Sequence, residues 1–125
     1  MNSYLLVAIG GTIGSLLRYT ASLLFQSLGL KSYPYSTLVV NLAGCYLIGL
    51  VWYFAFTKQL PESGRLFLMT GVLGGFTTFS TFSLESVQLL KDGLITGFIM
   101  YVLLSNMLGL FFVYVGYSTG KWFLN

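Results

Sequence analysis

Charge is distributed along this chain in a way that leaves few folds open. Residues 35–56 and 93–120 carry no charged side chain, residues 66–84 carry none, and residues 4–28 carry one, Arg18. A helix that crosses a bilayer needs about 20 consecutive, mostly apolar residues. The pattern therefore predicts four spans, at about 4–28, 35–56, 66–90 and 94–120, in one four-helix transmembrane domain over residues 1–125. The connections are short and polar: "GLKSYP", then "TKQLPESGR" with Pro61 and Gly64 as breakers, then "KDG". Tyr33, Tyr35, Trp52, Tyr53 and Trp122 fall where interfacial aromatic belts belong.

Composition closes off the soluble alternatives. The chain is 56% hydrophobic and 7% charged, against about 25% charged in an ordinary soluble domain. It has no histidine and a single cysteine, Cys45. That rules out an intrachain disulfide, a Cys/His metal cluster and a Cys–His nucleophile pair. The six basic residues against three acidic ones read as loop charge near anionic headgroups, not as a nucleic-acid surface. "MNSYLLVAIGG" lacks a basic leader, so no cleaved signal peptide is expected and the first span stays. The fold class is an all-α membrane protein.

Glycines recur four apart at Gly10 and Gly14, Gly71 and Gly75, and Gly116 and Gly120, a spacing that lets helix backbones approach closely. Four thin helices can hardly enclose a sealed solute path, so a homo-oligomer is expected. With the N-terminus inside, the cytoplasmic side holds Lys58, Arg65 and Lys121, and the far side holds Lys31 and Lys91. The basic-residue bias that normally sets orientation almost vanishes. Such a chain can insert both ways, and two copies can assemble antiparallel.

The third span does not read as one continuous helix. "GGFTTFSTFS", residues 74–83, places two glycines and then five hydroxyl residues at mid-membrane depth. Paired glycines favour a helix end, and Ser and Thr favour the start of a new helix. Irregular backbone at this depth is tolerated only inside protein or beside a wet cavity, and such breaks form ion sites in transporters. The expectation is a third helix broken near the bilayer midplane. Phe79 and Phe82, three apart, share a face there. The positive edge of an aromatic ring turned to a pathway suits an anion; the same rings also suit plain packing.

Other polar groups lie at comparable depth. Asn41 sits mid-way along the second span, one turn after Thr37; it can bridge helices or offer its NH2 to an anion. Tyr101 and Ser105 share a face of the fourth span, and Asn106 points elsewhere. Arg18 is a costly charge that faces water or a partner, or snorkels. Glu85 falls in the first turns of a second half-helix, where the helix dipole favours it, and is a candidate partner for a cation. No carboxylate pair, triad or phosphate loop is present in the sequence, and no enzyme activity is expected.

Three blocks now carry a resemblance. "GGTIGSLLRY" (10–19), "STLVVNLAG" (36–44) and "GVLGGFTTFSTFSLE" (71–85) are similar to the signature blocks of the Fluc/CrcB fluoride channels. The match runs through three spans in order, and the fourth is matched weakly at Tyr101 and Ser105. The resemblance implies passive fluoride export through two pores of an antiparallel, dual-topology homodimer in the plasma membrane (the inner membrane of a Gram-negative cell). It also implies a structural sodium ion at the dimer centre on the backbone carbonyls of Gly74 and Thr77, and no organic cofactor. It places Phe79, Phe82 and Asn41 in the pore, with a hydroxyl track at Tyr101 and Ser105. A further track serine is expected where this chain has Gly109. Ser80 and Thr81 join the fluoride pathway as neighbouring donors, and Arg18, Thr37 and Glu85 support it or line a vestibule.

Two other functions fit a four-span chain. A small multidrug-type exporter would need a membrane-embedded carboxylate, and Glu85 is the one candidate. A non-transporting scaffold would tolerate conservative changes at Phe79, Phe82 and Asn41. If an anion path exists, "TTFSTF" serves to replace its water piecewise. Neutral O–H and N–H donors can offset dehydration yet still release the ion, as conduction requires.

Overall fold

A computed structural model describes residues 1–124. Four helices long and apolar enough to cross a membrane run Ser3–Ser27, Tyr35–Thr57, Glu62–Lys91 and Ile95–Phe123. The chain is a multi-pass membrane protein. The first helix, α1 (Ser3–Ser27), starts at Asn2, whose side chain accepts from the Tyr4 N–H. Helix α2 (Tyr35–Thr57) follows. The third span is composite: the turn α3 (Glu62–Arg65), a π-helical segment Leu66–Leu73, the turn α4 (Gly74–Phe76), and helix α5 (Phe79–Lys91). Helix α6 (Ile95–Leu124) closes the bundle. Gly29 and Gly93 take φ of +74° and +75° in the turns after α1 and α5, conformations glycine adopts without steric cost.

The interior polar groups and the packing both follow from membrane physics. Lipid tails are as apolar as leucine, so helices associate through close packing and hydrogen bonds rather than through hydrophobic collapse. Two crossings without intervening side chains organise the bundle. In the first, α1 lies on the π-helical segment and α4. A Cβ on Gly10 would fall 2.6 Å from the Phe67 carbonyl oxygen, and one on Gly14 would fall 2.8 Å from the Phe76 nitrogen. In the second, α2 lies on α6. A Cβ on Gly49 would fall 2.9 Å from the Tyr117 nitrogen, and one on Gly116 would fall 3.1 Å from the Leu50 nitrogen. Each crossing joins spans that run the same way across the membrane.

The break in the third span sits at its middle, but not where the glycines suggested. Gly74 is helical, with φ −63° and ψ −38°. The chain leaves helical geometry at Thr77 (φ −83°, ψ 159°) and Thr78 (φ −151°, ψ 122°). Gly75 serves the crossing instead, since a Cβ on it would sit 2.5 Å from the Gly11 carbonyl oxygen, whereas one on Gly74 would meet only the Met69 carbonyl oxygen of its own span at 3.7 Å. The restart follows N-cap chemistry as expected from the hydroxyl run: the Thr78 side chain accepts from the Thr81 N–H at 3.3 Å. The π winding of Leu66–Leu73 had no sequence signal; π-helical turns are rare and cluster at functional sites.

Candidate functional site

The break exposes backbone groups, and the rest of the chain supplies partners for them. In a continuous helix the Thr78 N–H would close on the Gly74 carbonyl. Here it donates to Asn41 Oδ1 at 2.8 Å, and Asn41 Nδ2 donates to the Thr78 carbonyl at 2.9 Å. One amide side chain thus pairs with both backbone groups of the residue at the break, as a neighbouring strand would. On the other side of the break, Arg18 Nε donates to the Gly75 carbonyl at 3.2 Å. A guanidinium at the C-terminal end of a helical segment also opposes its dipole. The deep charge of the first span thus finds a partner on the third span.

A second polar hub ties α5 to its neighbours. Glu85 Oε1 accepts from Thr37 Oγ1 at 2.8 Å, and Oε2 accepts from Tyr101 Oη at 2.7 Å. One carboxylate in α5 thereby holds α2 and α6. Thr37 and Tyr101 are buried. Glu85, a candidate cation partner and supporting residue in the sequence, here accepts from two hydroxyls.

Aromatic rings run between the two hubs. Phe79 and Phe82 lie 5.7 Å apart, Phe82 and Tyr101 5.1 Å apart, and Tyr101 and Tyr33 5.7 Å apart between centroids. Phe79 is 78% exposed in the single chain, so its ring is open to a further partner. Two clefts meet at the break. One, of about 620 Å³, is the more polar and holds Arg18, Lys31, Thr37, Thr78, Thr81 and Glu85 on its walls. The other, of about 370 Å³, is more apolar and is lined by Asn41, Gly74, Thr77, Phe79, Phe82 and Ser105 among others. Thr78 borders both.

The expected site residues are therefore brought together unevenly. Asn41, Thr81, Phe79, Phe82 and Ser105 border the clefts at the break, and Tyr101 joins the ring row while bonding to Glu85. Ser80 is on the exposed face of α5 and lines neither cleft. Asn106 donates to the Val102 carbonyl of its own helix at 2.7 Å. Gly109, where a track serine was expected, is buried, and a Cβ there would meet Cys45 Sγ at 3.4 Å. Thr78 is the residue that sequence reasoning undervalued. Its signal was its place as the last threonine before an α-helical repeat, the N-cap position.

The expected sodium ion on the Gly74 and Thr77 carbonyls is not retained. Among the described residues no group of three or more His, Cys, Asp or Glu could hold a metal ion. Nor are all the carbonyls of the break open: Gly75 O is engaged by Arg18 and Thr78 O by Asn41. No cofactor is assigned.

Residues 5–117 match the family described as CrcB-like protein, Camphor Resistance (CrcB). The chain belongs to this family. Among similar proteins, one from Thermus thermophilus is 49% identical over 121 residues, covering 96% of each chain. One from Aquifex aeolicus is 44% identical over 116 residues, covering 92% of this chain and 94% of its own. One from Phocaeicola vulgatus is 43% identical over 116 residues, covering 93% and 96%. All three are named fluoride-specific ion channel FluC. The CrcB match extends well beyond the three motif blocks, into the last turns of α6.

Proposed function

We propose that this CrcB-family chain is a fluoride-selective channel of the plasma membrane that lets fluoride leave the cell passively, and that it is not an enzyme. The observation that carries the reading is the row Phe79, Phe82 and Tyr101 beside the Asn41–Thr78 clamp. It is a row of aromatic rings, a hydroxyl and an amide running away from a broken helix, with no fixed positive charge in the row and the Glu85 carboxylate bonded to Tyr101. Such donors suit a compact anion that must shed water and still escape. The anion's identity as fluoride comes from the likeness to relatives named for it.

The working unit is an antiparallel, dual-topology homodimer with two pores. Phe79 is open in the single chain, and the cleft beside it lacks an outer wall that a second copy would provide. The near-equal basic count on the two sides supports insertion in both orientations. A proton-coupled multidrug exporter is disfavoured, because both Glu85 oxygens already accept hydrogen bonds from Thr37 and Tyr101.

Purified protein in liposomes loaded with fluoride or chloride tests the reading. Fluoride is expected to escape rapidly while chloride is retained. Fluoride efflux no faster than from protein-free liposomes would overturn it. Reporters fused to the C-terminus are expected on both sides of the membrane, and a one-sided result would remove dual topology.

A further inference from the structure

The row of rings does not stop at Tyr101. Tyr33, in the turn between α1 and α2, packs edge-on against Tyr101 at 5.7 Å and 83° and lies 5.0 Å from the Tyr35 ring. It is half-buried. Its hydroxyl donates to the Gly97 carbonyl of α6 at 3.3 Å, long for an O–H···O bond and therefore easily exchanged. Beyond the 620 Å³ cleft lies a second polar cleft of about 270 Å³, between the α1–α2 turn and the α5–α6 turn. Tyr33, Lys31, Pro34 and Glu85 border both. Tyr33 thus stands in the wall between the two clefts, one ring beyond the Tyr101–Glu85 hub, with a lysine beside it.

We propose that Tyr33 forms the loop-side mouth of the ion path. Its hydroxyl is the last neutral donor, passing the anion between the Tyr101 region and water near Lys31. The assignment rests on the channel reading above. The weak bond to Gly97 lets the O–H swing to an ion without opening the helix, since a carbonyl oxygen keeps a second lone pair for its own ladder. Lys31 lies outside the narrow part, where a fixed cation would hold the ion too firmly, and shares the outer cleft with the carboxylates of Glu85 and Asp92.

Two variants test this in liposomes. Tyr33→Phe keeps the ring and removes the donor; fluoride efflux is expected to fall roughly three- to tenfold, the worth of one hydrogen bond, with an unchanged elution profile. In a Cys45→Ser background, Tyr33→Cys is labelled with an anionic or a cationic thiosulfonate of similar size, with rates referred to Cys45→Ser alone. The anionic label is expected to slow fluoride far more than the cationic one, a charge dependence that a packing role would not produce. Wild-type flux in Tyr33→Phe, or equal effects of the two labels, overturns the mouth assignment alone. Wild-type protein that passes no fluoride overturns the channel reading and this assignment with it.

Discussion

The two halves of the third span are held in place by opposite means. The first half, Leu66–Leu73 with α4, is mostly apolar and is positioned chiefly by missing side chains: Gly10, Gly14 and Gly75 let the α1 backbone come into contact with it, and a single α1 side chain, Arg18, adds a bond to the Gly75 carbonyl. The second half, α5, is positioned by side chains that reach in from elsewhere: Asn41 at its start, then Thr37 and Tyr101 on Glu85. Packing of the first kind fixes distance but leaves little that is polar. Hydrogen bonding of the second kind fixes direction and leaves donors facing a cleft. Closeness therefore anchors the break on one side, and polar chemistry is concentrated on the other.

The sharpest way to break the first half is to fill the crossing. Gly75→Val would set a Cβ 2.5 Å from the Gly11 carbonyl oxygen, against backbone that cannot swing aside. Overpacking of this kind costs about 1–3 kcal/mol and sometimes more. The expected outcome is loss of most folded protein, read as aggregation on size-exclusion chromatography in detergent. A monodisperse, active Gly75→Val protein would mean that α1 and α4 can part without harm.

The corresponding strike on the second half is at Asn41. Asn41→Leu leaves the Thr78 N–H and carbonyl without their partner, at about 1–3 kcal/mol for each buried group, and is expected to lower the thermal midpoint and abolish efflux. Asn41→Asp retains an acceptor for the Thr78 N–H but loses the donor and adds negative charge beside the proposed anion path. It is expected to keep more stability than Asn41→Leu and still pass essentially no fluoride. If the aspartate variant transports normally, Asn41 serves the backbone alone.

Smaller effects separate the two phenylalanines. Phe82 touches both Phe79 and Tyr101, whereas Phe79 touches Phe82 and is largely exposed in the single chain. Both Phe79→Ile and Phe82→Ile are expected to cut fluoride flux sharply while the protein still folds. Phe82→Ile should cost more stability, by about 0.5–1.5 kcal/mol for the lost ring pairs, measurable as a lower melting temperature. Equal flux to wild type in both would reduce these rings to packing. Least affected should be Thr77→Ala. The Thr77 hydroxyl donates back to the Leu73 carbonyl at 2.9 Å and its methyl packs on Gly44 of α2, so the change is expected to cost about 1 kcal/mol, the worth of one buried methyl, and to leave efflux near wild type.

Legibility in the sequence followed the same division. The hydroxyl run announced the restart of the helix, because N-cap preference is a local property of threonine at Thr78. The glycine pair misled about where the first half ends, because a glycine needed for helix contact and a glycine needed for a helix end look alike in sequence. Only the contact of Gly75 with Gly11 distinguishes them. Asn41, Arg18 and Glu85 were legible as polar groups that must find partners. Which partners they find was not.

The sequence by itself determined that the chain crosses the membrane four times, that its third span is interrupted, and that its interior polar groups are almost all neutral. These follow from the length of uncharged runs and from local residue preferences, which act over a few residues. Only the tertiary structure decided that Asn41 pairs with the backbone of Thr78, that Arg18 caps the carbonyl of Gly75, and that Glu85 joins Thr37 to Tyr101. In sequence Asn41 and Thr78 are 37 residues apart, and Arg18 and Gly75 are 57 apart. No periodicity reports contacts at that range. They are set by how closely two glycine crossings let the helices approach, and by the requirement that every polar group kept from water find a partner within the protein.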